Sequence, residues 1–199
     1  MSHLSENSTR LTCTTLGVSS PNDLASLEVN DPRVWFLILP YDPSTGPTTL
    51  PSQWLESVRV FAENLNDLAT VVVLMIPYLG AELCLLLEND LNLKLWVALK
   101  VCDPKSRPGE LPREQSALII WTKYRQSLIH TKTRIAYSYC PFCDKTTKDY
   151  GGKKHTYHEY GTLMSDVWRD ICVDPSGHPT KVITRLRDLF GLQPFDMLC

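Results

Sequence analysis

Four side chains with metal-binding chemistry fall in one short stretch. Cys140-Pro-Phe-Cys143 places two thiols on a single turn, and His155 and His158 follow across the Gly151-Gly152 hinge. Thiolates and imidazoles at such spacing are the usual donors of small tetrahedral zinc sites. The spacing predicts a zinc-stapled hairpin with Cys140, Cys143, His155 and His158 as ligands and Cys172 as a replacement. A bland alternative stands beside it: a reduced cysteine pair packed under a hairpin, with the histidines on its surface. So small a hairpin has little core of its own, so a structural zinc would couple its folding to the metal.

The rim of this stretch is basic and aromatic. Lys145, Lys148, Lys153 and Lys154 alternate with Tyr150, Tyr157 and Tyr160. Lysines neutralise phosphates, and aromatic rings stack on bases. Lys148, Tyr150, Lys153, Lys154 and Tyr157 are therefore candidate DNA-binding residues, with His155 and Lys154 as candidates for reaching base edges. The charge distribution agrees. Residues 1–121 carry 8 Lys+Arg against 14 Asp+Glu, whereas residues 122–199 carry 12 against 8, so a net −6 faces a net +4. A solvated basic face would look the same. For Trp168, in Ser165-Asp-Val-Trp168, a core position is the better reading.

The elements that must position this hairpin are alternating strands and helices. Val34–Leu39, Thr70–Ile76, Leu93–Val101 and Ser116–Trp121 are short apolar runs, the pattern of strands buried on both faces. Between them, the helical spacing of Trp54, Leu55, Val58, Phe61, Leu65 and Leu68 predicts a helix from Ser52, and Leu79–Asn89 reads as a second. Arg134–Tyr139 reads as a short strand entering the cysteine turn. Thr180–Phe190 is amphipathic and ends at Gly191, and Phe195–Cys199 opens a new apolar run. Residues 1–30, rich in Ser, Thr and Asn, read as a loose lead-in.

Strands alternating with helices predict an α/β fold with a mostly parallel sheet. At 199 residues and 43% apolar, the chain is long enough for one cored domain with an insert. Seven cysteines without an even framework predict a reducing, cytoplasmic setting and no disulfide scaffold. No apolar run reaches membrane-spanning length, and no signal peptide is evident. Ser-His-Asp order, paired carboxylates and a Walker-type loop are all lacking, which speaks against a hydrolase.

The order of pieces resembles the circularly permuted, beta-class S-adenosylmethionine-dependent DNA amino-methyltransferases. The resemblance covers residues 31–199. It is carried by the strand ending in Pro40-Tyr41, by Lys148–Lys154 with Ser165–Trp168, which is similar to the insert of a cysteine-bearing branch, and by His178–Leu186, which is similar to the helix after it. Such enzymes methylate the exocyclic amine of adenine or cytosine. They localise the amine lone pair with an Asp or Asn oxygen and a Pro carbonyl, and an aromatic ring stacks on the flipped base. The resemblance therefore implies catalytic roles for Pro40, Tyr41 and Asp42, and cofactor contacts at Thr180 and Lys181. Two features depart from the pattern. Ile38 stands at the acidic position, with Asp42 as a displaced substitute, and the sequence reaches Cys199 before any Gly-rich cofactor loop.

Together these readings predict an incomplete doubly wound, mostly parallel sheet, the Rossmann-like half of a methyltransferase, with a small zinc-stapled insert. The expected organisation is a lead-in at 1–30, a catalytic-side half at 31–133, a recognition insert at 134–175, and a helix with the start of the cofactor-side strand at 176–199. The expected function is that of a DNA amino-methyltransferase-like protein, inactive alone, that binds DNA and takes S-adenosylmethionine only with a second chain supplying the cofactor half. Its rivals are a non-catalytic, zinc-containing DNA-binding or specificity subunit, and a zinc protein that scaffolds a complex.

Overall fold

The computed structural model describes residues 12–14, 20–25, 33–38, 52–102, 104, 108–109, 111–112, 114–124, 131–149, 156–174, 179–191 and 197–198. In chain order the elements are β1 (Thr12–Thr14), α1 (Pro21–Ala25), β2 (Arg33–Ile38), α2 (Ser52–Asn64), β3 (Thr70–Met75), α3 (Pro77–Leu86), β4 (Asn92–Val101) and β5 (Gln115–Thr122). The small strands β6 (Arg134–Ile135), β7 (Tyr139–Cys140), β8 (Lys145–Thr146) and β9 (Thr162–Leu163) follow, with a 3-10 turn at Thr147–Asp149. The chain then forms β10 (Val167–Val173), α4 (Thr180–Phe190) and β11 (Met197–Leu198).

Among the described residues the main sheet has seven strands in the order β10-β4-β5-β3-β2-β1-β11. All its pairings are parallel except the two made by β5, which runs against both β3 and β4. The sheet is thus mainly parallel, with one reversed strand in its interior. β3 and β5 are buried almost throughout, and this is why they read as continuous apolar runs rather than alternating ones.

The two faces carry separate cores. On one, Leu24 of α1, Val58 and Phe61 of α2, and Leu79 and Leu83 of α3 pack over Trp35, Val71, Val73, Ile119 and Trp121. On the other, Val182, Ile183, Leu186, Leu189 and Phe190 of α4 pack over Val34, Phe36, Val72, Val97, Leu99, Leu118, Ile120 and Trp168. Helices on both faces make the sheet doubly wound.

Local chemistry explains the element ends. α3 starts at Pro77, two residues earlier than its apolar spacing predicts, because proline at the first helical position gives up an N–H that has no partner there. α4 spans the predicted residues and closes on Gly191, whose left-handed φ of 66° lets its N–H reach the Arg187 and Asp188 carbonyls. α2 is closed by a cation. The Lys123 Nζ donates to the carbonyls of Ala62 at 2.7 Å and Glu63 at 3.1 Å, where the helix dipole favours positive charge.

The structure corrects the sequence reading at several points. The predicted strand Arg134–Tyr139 is two separate strands, β6 pairing with β9 and β7 with β8. Val167–Val173, within the stretch assigned to the insert, is an edge strand of the main sheet beside β4. The segment read as a loose lead-in supplies β1, which lies between β2 and β11. Cys102 and Cys172 are paired as a disulfide, with Cα atoms 5.3 Å apart, so Cys172 is not a spare metal ligand. Their separation of 70 residues hides this adjacency, which arises only when β10 docks on β4.

Candidate functional site

The cysteine turn is a small, well-braced hairpin. β7 and β8 pair through Tyr139 with Thr146 and Cys140 with Lys145, leaving Pro141 to Asp144 as the turn. Asp144 takes a left-handed φ of 51°, which an Asp side chain tolerates, and its Oδ1 accepts the Tyr139 hydroxyl at 2.7 Å. That bond holds the Tyr139 pKa above the usual tyrosine value. Behind the turn, the Asp149 Oδ2 accepts both the N–H and the hydroxyl of Thr146 at 2.9 Å, and the Thr147 N–H donates to the Ser138 carbonyl.

Both thiols lie at this turn. The side chain of Cys143, then its backbone N–H and that of Phe142, hydrogen-bond to the Cys140 sulfur and hold that thiol below its ordinary pKa. N–H groups aimed at a sulfur favour the thiolate, the form a metal binds. The pair thus fits half of a tetrahedral donor set. Among the described residues, however, no three His, Cys, Asp or Glu side chains converge as a metal site. The His158 Nδ1 accepts the Tyr160 N–H at 3.2 Å, and its ring tilts against that of Tyr160. His155 lies outside the described residues.

Of the candidate DNA contacts, Lys148 sits half-buried in the 3-10 turn behind β8. Tyr157 packs edge-on against Tyr137, with ring centroids 6.0 Å apart, and the Tyr137 hydroxyl donates to the His158 carbonyl. Tyr150, Lys153 and Lys154 lie outside the described residues. The base of the insert is fixed by Gly161, at φ 108°. A Cβ there would stand 2.0 Å from the Ile135 carbonyl oxygen, so only glycine lets β9 close on β6. The Gly161 carbonyl accepts Arg134 at 2.9 Å.

Ser165–Trp168 ties the insert to the sheet. The Asp166 carbonyl accepts the Ala98 N–H, and the Trp168 indole N–H donates to the Ser165 carbonyl at 3.0 Å. Trp168 is fully buried, with Arg185 of α4 stacked 5.5 Å over its ring and bridged to Asp170. Its role is anchorage, in line with the core reading of its sequence context.

In open parallel sheets, ligands bind beyond the carboxyl ends of the strands. At that edge β2 ends on Ile38. Pro40, Tyr41 and Asp42 lie outside the described residues. Thr180 and Lys181 are exposed on the first turn of α4. Tyr78 is exposed in the first turn of α3, and the Ile76-Pro77-Tyr78 that follows β3 repeats in sequence the Leu39-Pro40-Tyr41 that follows β2.

No protein-family model matches the chain. Over 120 residues it is 28% identical to the Type II methyltransferase M.BamHI of Bacillus amyloliquefaciens, an alignment covering 60% of this chain and 27% of that protein. The chain thus has sequence similarity to a Type II methyltransferase while spanning about a quarter of its length. Among solved structures it superposes on M1.HpyAVI in complex with SAM at a TM-score of 0.42 and 13% identity, covering 57% of this chain and 55% of that one. A Thermus thermophilus protein assigned as a DNA modification methylase gives a TM-score of 0.48 at 12% identity, covering 90% and 74%. Superpositions this loose decide nothing about function. No helix among the described residues is long and apolar enough to cross a membrane.

Proposed function

We propose that this chain is a DNA amino-methyltransferase-like protein carrying the base-side half and the target-recognition insert. The sequence similarity to a Type II methyltransferase over 120 residues carries this reading. In it, the basic, aromatic insert grips duplex DNA through Lys148, Tyr150, Lys153, Lys154 and Tyr157. Tyr41 stacks on a displaced base, and the Pro40 carbonyl accepts from its exocyclic amine. Asp42 is the nearest carboxylate for the role that Ile38 cannot fill. S-adenosylmethionine supplies the methyl group when bound. Zinc is proposed at Cys140 and Cys143, with His155 or His158 completing the set.

The apolar Ile38 at the end of β2 favours a second reading, a non-catalytic DNA-binding or specificity subunit on the same fold. One experiment separates the two. The full chain is mixed with duplex DNA in a salt titration, then with tritiated S-adenosylmethionine. Both readings expect binding that weakens steeply with salt, and removal of Lys148, Lys153 and Lys154 should lower the log–log slope by about 0.9 per contact. Tritium incorporation would decide for an enzyme. Absence of DNA binding at low salt would sink both. Metal analysis tests the zinc: well under about a tenth of an equivalent, with Cys143→Ser folding normally, removes it.

A further inference from the structure

Among the described residues Cys102 and Cys172 are joined as a disulfide, whereas Cys84, Cys140 and Cys143 stay as thiols. A chain that keeps most of its cysteines reduced is not built on a disulfide scaffold. The joined pair sits at the far end of the β4–β10 ladder. Cys102 directly follows β4, and its N–H donates to the Val173 carbonyl at 2.8 Å, so the bridge lies beside the closing rung. Both cysteines are half-buried, within reach of a small thiol. β10 is an edge strand, paired on one side only, and its register with β4 slips between Trp168 and Cys172. It is therefore held at two separate places. At the near end the Ala98 N–H donates to the Asp166 carbonyl, and Trp168 is fully buried. At the far end are the rungs at Cys172 and Val173, and the bridge. Ile171 and Val173 also pack into the α4-side core, so the strand has a seat that does not depend on the covalent bond.

We infer that Cys102–Cys172 is a reversible redox latch on β10, the strand by which the insert returns to the sheet. The bond joins residues 70 apart and closes a ring that contains β5 and the whole insert. Formed, it fixes the far end of β10. Opened, it lets that end fray from the sheet edge while Trp168 keeps the near end seated. The inference does not draw on the DNA-binding reading. Oxidised glutathione, a small-molecule disulfide, completes the chemistry. One cysteine thiolate attacks a glutathione sulfur, displaces one glutathione thiolate and leaves a mixed disulfide. The second cysteine attacks the protein sulfur of that bond and releases the other glutathione. Two electrons pass from the protein dithiol to the small disulfide, and the two thiol protons end on the released glutathiones. Excess reduced glutathione runs the same steps backwards.

Full-length protein is equilibrated in a series of reduced and oxidised glutathione mixtures, and its thiols are trapped by alkylation. Peptide mapping by mass spectrometry separates this bond from any at Cys140 and Cys143, and hydrogen exchange is read on the same samples. The bond should form and break reversibly within the series. In the oxidised form the amides of Cys102 and residues 171–173 should exchange about tenfold more slowly, roughly the effect of one ladder hydrogen bond, with β3 unchanged. A Cys102→Ser/Cys172→Ser variant should exchange like reduced wild type in every mixture. If that variant does not fold, the wild-type comparison decides alone. A bond that survives excess reduced glutathione in folded protein is a permanent staple, and the latch is wrong. It is equally wrong if the bond never forms in excess oxidised glutathione, or if reduction unfolds the whole sheet. A bond that switches without changing exchange in β10 also overturns it.

Discussion

Replacing Gly161 with alanine should loosen the insert and spare the sheet. The new Cβ would lie 2.0 Å from the Ile135 carbonyl oxygen and 2.7 Å from its carbon. Both are backbone atoms, so no rotamer change relieves the clash. A non-glycine residue at such a φ costs about 1–3 kcal/mol by itself. Moving β9 off β6 also strains the Arg134 bond to Gly161 and the Met164 bond to Thr133, each worth about 0.5–1.5 kcal/mol. The sum, about 4 kcal/mol, is roughly a thousandfold in a local opening constant. Neither packed face of the sheet draws on residues 134–163, so the loss should stay local. Hydrogen-exchange mass spectrometry reads it directly. Protection across 134–149 and 156–163 should fall about a thousandfold, or vanish where the insert is less stable than that, while β3 and β5 stay protected. Unchanged exchange in the insert would refute the steric argument. Equal loss in β3 and β5 would show that insert and sheet open as one unit.

Two further outcomes follow from single contacts. Lys123→Met removes the cation that closes α2, and urea unfolding should show a loss of about 1–2 kcal/mol with an unchanged m-value. Burial holds the Cys84 thiol above its ordinary pKa, so its alkylation should have a higher pH midpoint than a free thiol. Because that pKa is raised on folding, its contribution to stability is complete below the unfolded thiol pKa and is lost as pH rises toward the folded value. Cys84→Ala should flatten that alkaline decline, and an unchanged slope would place its source elsewhere.

What was legible in the sequence was local. The runs at Thr70–Ile76 and Ser116–Trp121 read as buried strands because both faces of β3 and β5 are covered, and periodicity reports burial directly. Thr180–Phe190 and Gly191 were legible because one apolar stripe and one stop residue suffice for a helix end. Partners distant in sequence were not. Nothing in Cys102 or Cys172 announces that β10 will lie against β4, and nothing in residues 116–121 says that β5 runs against its neighbours. Val167–Val173 escaped notice because Arg169 and Asp170 interrupt its apolar residues where the register with β4 slips between Trp168 and Cys172. At the site, the cysteine turn was legible because two-residue spacing is itself a geometry.

The two ends of the insert meet. Thr133, where it departs, accepts the Met164 N–H at 3.1 Å where it returns, and the Thr131 N–H reaches the Leu189 carbonyl at the end of α4. A closed neck of this kind makes the segment between a cassette. Its length and composition can change in the course of descent without altering the spacing of the strands it springs from, since the cost of lengthening a loop whose ends are already joined grows only with the logarithm of its length. The same neck is where an engineer would graft a foreign hairpin, keeping Gly161 and Trp168 as the joints.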